Sequence, residues 1–246
     1  MVLFSINFSS YYLILKGKFK EVFNSELRWF LFIAVTATTV IALNVSGMFD
    51  TLGEAFRHAA FTVASIMSTT GFSTVDFNLW PQLSRSLIVI LTFFGACAGS
   101  TCGGVKISRI IILFKSMGKE LENLIHPKQV KKIVVDGRPV EHEVVRSVNV
   151  YMVCYVMIYV ASMLILSFDD HDFTTNFTAI AATINNIGPG LNVVGPTGNF
   201  SEFSMLSKFV MMFDMLAGRL ELFPLLLLFC PSVWKREKRR KKDNKG

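Results

Sequence analysis

The chain has 246 residues, 52% of them hydrophobic and 17% charged, and its formal net charge is +7. Because a soluble domain carries roughly a quarter charged residues, this composition argues against an ordinary water-soluble globular protein and favours one that crosses a membrane several times. The four cysteines form no Cys-x-x-Cys pair and the four histidines are scattered, so the sequence offers no pattern for a disulfide framework or a zinc site. No nucleophile stands beside a base, and we do not expect an enzyme.

Four apolar stretches approach the length that a membrane-crossing helix needs, about 20 residues for a hydrocarbon core of about 30 Å. They cover residues about 27–43, 83–114, 144–168 and 203–234, and the second is interrupted. Two shorter stretches, about 52–67 and 173–184, suit segments that enter the membrane without crossing it. The sequence therefore predicts an all-α integral membrane fold of two tandem units, each a helix, a pore helix, a re-entrant filter loop and a second helix.

These elements divide the chain into five predicted parts. In chain order they are the inner end of a preceding membrane helix (1–20), one pore unit (21–117), a cytoplasmic linker (118–140), another pore unit (141–234) and a basic cytoplasmic tail (235–246). Within the units we predict pore helices at about 53–68 and 173–185, and a broken second helix at 83–117.

Lysine and arginine cluster at residues 16–20, 106–146 and 235–245 and are sparse between the paired spans. The positive-inside rule therefore places both termini and the linker in the cytoplasm. The basic tail is either a solvated topology signal or a docking site for lipid headgroups or a partner. Nucleic-acid binding is not expected, because no folded basic domain accompanies the tail.

Two stretches with the same pattern suggest an internal repeat. "AFTVASIMSTTG" (60–71) aligns with "FTAIAATINNIG" (177–188), in which small and apolar residues lead to polar residues and a glycine. Repeated units of this kind are common in membrane transport proteins. Backbone outside helices is tolerated at membrane depth only where protein buries it or where it lines a watery cavity.

The residues at the end of each stretch are suited to binding a cation. Glycine allows carbonyl oxygens to turn toward a common axis, and rings of such oxygens can replace the hydration shell of a potassium ion. The hydroxyls of Thr69 and Thr70 and the amides of Asn185 and Asn186 would supply further oxygen atoms. The alternative is an ordinary glycine C-cap at each helix end.

The second span is rich in small residues. Gly95, Gly99, Gly103 and Gly104 fall within ten positions, and each costs roughly 1 kcal/mol in a helix relative to alanine. We therefore expect an unwound stretch beneath the filter loops. Close helix packing through small residues is the alternative.

Arg219 lies deep in the last span. A cation at that depth costs at least about 2.5–3.5 kcal/mol unless it faces a cavity or a partner. One interpretation is an ion pair with Glu221 or Asp214. The other places Arg219 at the depth of the broken helix, facing the ion pathway.

Three motifs together resemble the Trk/Ktr family of potassium transporters, of the TrkH type: "STTGF", "FFGACAGSTCGGVK" and "MLAGRLELFPLLLLF". The likeness extends over nearly the whole chain. It maps the chain onto the third and fourth of the family's four helix–pore helix–helix units, which is half of a four-unit pseudo-tetrameric pore.

The resemblance implies roles for particular residues. It assigns one filter segment to Thr69, Thr70, Gly71 and Phe72, and the other to Asn186, Ile187, Gly188 and Pro189. It implies potassium binding at Thr70, Gly71, Ile187 and Gly188. It also implies an intramembrane gate at Gly95, Gly99, Ser100, Thr101, Gly103, Gly104 and Arg219, where Arg219 raises the barrier to cations.

The resemblance further implies potassium uptake across the inner membrane by a multi-pass protein, with K⁺ as the transported ion and no organic cofactor. The implied partners are the N-terminal pore units or a second copy, a homodimer of pore subunits, membrane lipids and a cytoplasmic nucleotide-binding regulatory subunit. The linker, with a hairpin expected around Asp136 and Gly137, is the candidate docking site. Two alternatives stay open: a non-conducting, half-length assembly partner, and a sodium-permeable member of the family.

Overall fold

The computed structural model describes residues 1–126 and 132–219, which are mostly helical. The first three helices are short: α1 (Val2–Ser5), α2 (Phe8–Leu15) and α3 (Phe19–Val22). The segment predicted as the inner end of one preceding helix is thus broken twice. The first break is at Ile6, whose backbone is extended. The second is at Gly17, whose φ of 73° lies in the left-handed region.

The next four helices fall in the predicted first unit. They are α4 (Ser25–Val45), α5 (Leu52–Met67), α6 (Gln82–Phe93) and α7 (Ile107–Ile125). The Asn24 side chain caps α4 by accepting a hydrogen bond from the backbone N–H of Leu27 at 2.9 Å. Helix α7 runs on into the predicted linker, and an irregular stretch, residues 94–106, separates it from α6.

A small hairpin follows. Strands β1 (Val134–Val135) and β2 (Arg138–Pro139) pair antiparallel around Asp136 and Gly137. Both turn residues have positive φ, 50° and 76°, as a two-residue hairpin turn of this type requires. The hairpin expected at this dipeptide is therefore present.

The last three described helices are α8 (His142–Leu166), α9 (Phe173–Ile184) and α10 (Met205–Arg219). The carboxylate of Asp172 caps α9 through the N–H of Thr175 at 3.1 Å. The predicted span 203–234 continues beyond Arg219, so its remainder and the basic tail lie outside the described residues.

Two apolar clusters form the interior. One joins α4, α5 and α6, with Phe30, Ile41 and Ile66 almost fully buried. The other joins α8, α9 and α10, with Leu166 and Ile180 at its centre. In each unit the predicted pore helix, α5 or α9, is thus packed against the helices that precede and follow it.

Within the described residues two helical stretches, Ser25–Met48 and His142–Asp169, are long and apolar enough to cross a membrane. Their outward faces are apolar as well, since Phe32, Leu43, Val153 and Leu164 are each more than half exposed. A face of this kind on a soluble protein would promote aggregation, whereas lipid covers it in a membrane. The second predicted span does not pass the same test, because residues 94–106 interrupt it.

Candidate functional site

Helix α5 ends in a Schellman motif. The N–H of Thr69 donates to the Ile66 carbonyl at 3.0 Å, and the N–H of Thr70 donates to the Ser65 carbonyl at 2.9 Å. Thr69 has a φ of 50°, so it occupies the left-handed position that closes such a motif. The left-handed residue that closes this helix, directly after the C-cap residue Ser68, is therefore a threonine.

Helix α9 ends in the same way. The N–H of Asn186 donates to the Thr183 carbonyl at 3.0 Å, and the N–H of Ile187 donates to the Ala182 carbonyl at 2.8 Å. Asn186 has a φ of 55°. The two helix ends match residue for residue, in the register of the sequence alignment.

The predicted filter glycines lie two residues beyond these caps. Gly71 has a φ of 79° and Gly188 a φ of 115°, and neither residue closes its helix. The C-cap interpretation therefore does not account for them, because Thr69 and Asn186 already perform that role.

Gly71 also brings the two segments together. A Cβ on Gly71 would lie 2.1 Å from the Ile187 carbonyl oxygen and 3.1 Å from Cδ of Pro189. Only a residue without a side chain allows this approach. Gly188 faces open space, with no atom within 4 Å of an added Cβ. Phe72 is 70% exposed.

Most of the side-chain oxygens expected to bind the ion are engaged elsewhere. The Thr69 hydroxyl accepts from the N–H of Gly103 at 3.0 Å, and the Thr70 hydroxyl lies 2.7 Å from that of Ser68. Asn185 is buried, and its Oδ1 accepts from the Tyr155 hydroxyl at 3.1 Å. The prediction that the Asn185 amide faces the ion is therefore wrong, and backbone carbonyls are the better candidates.

The irregular stretch 94–106 closes on itself at its base. The N–H of Gly95 donates to the Val105 carbonyl at 2.9 Å, and the N–H of Ile107 donates to the Ala96 carbonyl at 3.3 Å. A Cβ on Gly95 would lie 2.7 Å from the Val105 carbonyl oxygen and 2.8 Å from that of Gly103. The glycine thus permits the two arms of the loop to touch, and we call residues 96–106 the gate segment.

The gate segment, named for the role predicted for its residues, touches both helix ends that precede the predicted filter glycines. Its Gly103 N–H binds the Thr69 hydroxyl. A Cβ on Gly103 would lie 2.5 Å from the Asn185 carbonyl oxygen. The residues predicted as filter and gate therefore form one contiguous group.

A cavity of about 250 Å³ lies against the gate segment, lined by Gly99, Ser100, Thr101, Cys102, Gly103, Gly104, Lys106, Arg109, Tyr151, Gly218 and Arg219. The Arg219 Nη1 donates to the Thr101 carbonyl at 2.9 Å. Asp214 instead accepts from the Ser162 hydroxyl at 2.9 Å, and Glu221 lies outside the described residues. The structure thus favours the cavity-facing interpretation of Arg219 over an ion pair with Asp214.

Lys106 and Arg109 add two further basic groups to this cavity. The Lys106 ammonium donates to the Cys102 carbonyl. The Arg109 guanidinium lies 4.1 Å above the Tyr151 ring, within the range of a cation–π contact. With Arg219, these side chains make the cavity wall electropositive.

Sequence reasoning missed Glu26. Its side chain is 8% exposed, and its Oε1 accepts from the backbone N–H of Ala98 at 2.6 Å and of Ser108 at 3.1 Å. In the sequence it is one acid in the first turn of a helix, a common position for a solvated side chain. No local pattern reveals a partner more than seventy positions away.

Comparison with known proteins places these features in a family. The sequence model of the TrkH cation transport proteins matches residues 2–236. The Trk system potassium uptake protein TrkH of Salmonella typhimurium is 33% identical over 233 residues, covering 93% of this chain and 48% of that protein. TrkG of Escherichia coli, a protein of the same description, is 34% identical over 238 residues, covering 95% and 48%.

A solved structure supports the same family assignment. The crystal structure of the potassium transporter TrkH from Vibrio parahaemolyticus matches with a TM-score of 0.85 and 35% identity, covering 95% of this chain and 51% of that one. This chain spans about half the length of the curated relatives it matches. Those relatives are named as uptake proteins and not as enzymes, and the fold is that of a membrane protein. The chain belongs to the TrkH family of cation transport proteins.

Proposed function

We propose that this chain forms half of a potassium-uptake pore, with Gly71 and Gly188 in two strands of its selectivity filter. One observation carries the proposal. Both glycines stand two residues past a completed Schellman cap, so their left-handed backbone serves the loop and not the helix end. The Gly71 backbone also lies against the Ile187 carbonyl.

The ion would be held by backbone carbonyls of Thr70, Gly71, Ile187 and Gly188. Such carbonyls replace water around a potassium ion at little cost, because their dipoles are already oriented. The negative ends of the α5 and α9 dipoles, at Met67 and Ile184, add to the attraction. In this proposal the two units are tandem repeats, and their loops after α5 and α9 are re-entrant.

Two strands supply only half of a four-part ring. The rest would come from the N-terminal pore units, or from a second copy of this chain. The assembled pore would be a homodimer of pore subunits in the inner membrane, in contact with lipids. Both termini would lie in the cytoplasm, where a nucleotide-binding regulatory subunit would dock near the hairpin. K⁺ is the transported ion in this proposal, and no organic cofactor is required.

The gate segment would control passage below the filter. Its glycines give it little steric bulk, and its contacts with Thr69 and Arg219 are individual hydrogen bonds that can be exchanged. The basic cavity wall raises the energy of a cation at this point, as charged constrictions do in other channels. Movement of the segment away from the axis would open the path.

Serine substitutions at the two glycines test the proposal. The chain is expressed with the N-terminal pore units of a relative in cells that lack potassium uptake, and uptake of Rb⁺ is measured with and without competing Na⁺. Gly71→Ser is expected to lower Rb⁺ uptake at least tenfold, because its Cβ collides with the Ile187 carbonyl. Gly188→Ser is expected to lower discrimination against Na⁺, because a side chain at φ 115° shifts the carbonyls.

Gly47→Ser is the matched control, since nothing lies within 4 Å of its added Cβ and its φ is not left-handed. It should transport as the unmodified chain does. Unchanged ion discrimination in both filter variants would show that these glycines do not line the filter. No uptake by any combination would support the non-conducting assembly partner, and equal permeation of Na⁺ and Rb⁺ would support the sodium-permeable alternative.

A further inference from the structure

Glu26 joins two parts of the chain that lie in and after the break in the second span, where the gate segment is also bonded to Ser5 and Phe8 through Cys97 and Gly99. Its Oε1 accepts one hydrogen bond from Ala98, inside the gate segment, and one from Ser108, in the first turn of α7. A single carboxylate oxygen from α4 therefore holds both the gate segment and the helix that follows it.

The bond to Ser108 compensates for a missing cap. The first backbone N–H groups of a helix have no partner inside it. The N-cap residue of α7, Lys106, makes no side-chain capping bond. Glu26 supplies an anionic acceptor at this end, where the helix dipole favours negative charge.

The bond to Ala98 lies in a poorly hydrated place. Glu26 is 8% exposed and the neighbouring Cys97 is 2% exposed. Hydrogen bonds to an ionised acceptor are stronger than neutral ones. Removing the acceptor would leave two backbone donors without a partner in a buried site, which is more costly than the loss of an exposed bond.

A second contact leads from this position to the hairpin. The carboxylate Oδ1 of Asp136 accepts from the N–H of Ser25 at 2.9 Å and from its hydroxyl at 2.6 Å. Ser25 directly precedes Glu26. The hairpin is also held to α7, because the Lys115 ammonium donates to the Val134 carbonyl at 2.6 Å.

We propose that Glu26 is a positioning residue that fixes the gate segment, and that the hairpin acts on it through Asp136 and Ser25. The role in gating rests on the proposed function, whereas the mechanical role does not. Displacing the hairpin would release the first turn of α4, shift Glu26, and free the gate segment at Ala98. The position of the hairpin then determines whether the gate segment is held or free to move.

Cys97 reports on this directly, because its buried thiol reacts only when the gate segment opens. The chain is purified in detergent, treated with N-ethylmaleimide, and labelling of Cys97 is followed by mass spectrometry. Glu26→Ala should speed labelling about tenfold or more, the change that accompanies loss of about 1.4 kcal/mol. Cys154, on α8 and partly exposed, is the internal reference.

The alanine variant could act by removing the hydrogen-bond acceptor or by removing the negative charge near the thiol, and Glu26→Gln separates these two effects. It removes the same negative charge near the thiol but keeps an oxygen acceptor, so its labelling rate should stay within about threefold of the unmodified chain. Glu54→Ala, another first-turn glutamate, which pairs with Arg57 on the surface, should have no effect. Equal acceleration in the Gln and Ala variants would overturn the positioning role, as would faster labelling of Cys154 to the same extent.

The hairpin step is tested by a double-mutant cycle. Asp136→Ala alone should speed Cys97 labelling severalfold, and should add little in the Glu26→Ala background, because the same contact is already lost. Arg138→Ala, in the same hairpin, is the control. Fully multiplicative effects of the two substitutions would show that Asp136 does not act through Glu26. These readouts need no ion flux, so failure of this proposal is distinct from failure of potassium transport.

Discussion

At the scale of single residues, Thr69 stands out because a β-branched side chain occupies a left-handed backbone conformation. Such a conformation costs roughly 1–2 kcal/mol outside glycine, and Asn186 tolerates it better than threonine does. The Thr69 hydroxyl binds the N–H of Gly103 in the gate segment. The strained residue next to the predicted filter glycine thus also contacts the gate segment. Backbone strain of this kind is often found at functional sites.

Asp214 tests how much a buried negative charge costs in the stability of this protein. The residue is fully buried, and its Oδ1 accepts from Ser162 while its Oδ2 has no hydrogen-bond partner among the described residues. A buried carboxylate with an unpaired oxygen is costly. Asp214→Asn keeps the acceptor for Ser162 and replaces a buried charge by a neutral amide, which costs less to bury, so we expect it to stabilise the chain by about 1–2 kcal/mol.

Thermal unfolding in detergent at neutral pH measures this effect. Ser162→Ala is the companion variant, which removes the hydrogen bond from Ser162 to Asp214 and should lower stability. A clear loss of stability in Asp214→Asn would instead indicate that the negative charge has a partner that the described residues do not supply.

The residues most readily found from sequence were those whose chemistry is unusual in a membrane. The glycines at 71 and 188 and the cation at Arg219 stand out against apolar surroundings, and their assignment to a filter and a gate stays a prediction. Glu26 and Asn185 could not be placed in this way. Their roles depend on partners brought close only by tertiary packing, such as Ala98 and Tyr155.

At the scale of helices, α10 crosses α9 at very short range. A Cβ on Gly218 would lie 1.7 Å from the Ile184 carbonyl oxygen. The Asn186 amide fastens the same crossing by donating to the Met215 carbonyl at 3.0 Å. Gly218→Ala should therefore push the helices apart and destabilise the chain by about 1–3 kcal/mol.

Gly118→Ala is the matched control for this substitution. Gly118 lies inside α7 and has nothing within 4 Å of an added Cβ. Alanine there should stabilise the helix by about 0.5–1 kcal/mol. Thermal unfolding curves should show a loss of stability for Gly218→Ala and a gain for Gly118→Ala. A change of the same sign in both variants would contradict the close crossing of α9 and α10.

Helix boundaries were less predictable than helix existence. The density of glycines indicated the break in the second span, and the structure has irregular backbone at 94–106. The broken second helix is predicted to end at 117, yet α7 continues to Ile125. Apolarity marks where a helix leaves the membrane, whereas residues such as Glu120, Leu121 and Glu122 favour continued helix in water.

At the scale of the whole molecule, the two units meet at several places, and two of these contacts are made by polar groups of the connecting loops. One is the gate segment, which touches both loops that carry the predicted filter residues. The other is a clasp, which we define as Asn78 and Asn192 in the loops that follow the two filter segments. The N–H of Asn192 donates to the Asn78 Oδ1 at 2.9 Å, and the Asn78 amide donates to the Asn192 carbonyl at 3.2 Å.

Charged groups from both units reinforce the clasp. The Arg85 guanidinium donates to the Asn192 Oδ1 at 2.9 Å, and the Asn192 amide donates to the Asp172 carboxylate at 2.9 Å. Gly195 leaves room for the Asn78 side chain, since its added Cβ would lie 1.9 Å from the Asn78 Nδ2. We therefore expect the spacing between the units, and between the loops that carry the predicted filter residues, to depend on these side chains.

Asn78→Ala removes both hydrogen bonds that join Asn78 to Asn192. Each is worth about 0.5–1.5 kcal/mol, so the chain should lose about 1–3 kcal/mol of stability, and the filter loops should become more accessible. Hydrogen exchange at residues 69–72 and 187–190 measures the second effect. Asn199→Ala is the control, because Asn199 bonds only locally, to Ser201, in the described contacts. Faster exchange confined to the filter loops in Asn78→Ala would indicate that the clasp sets filter geometry. Unchanged exchange there would mean that the gate segment and the helix crossings hold the two units in register without it.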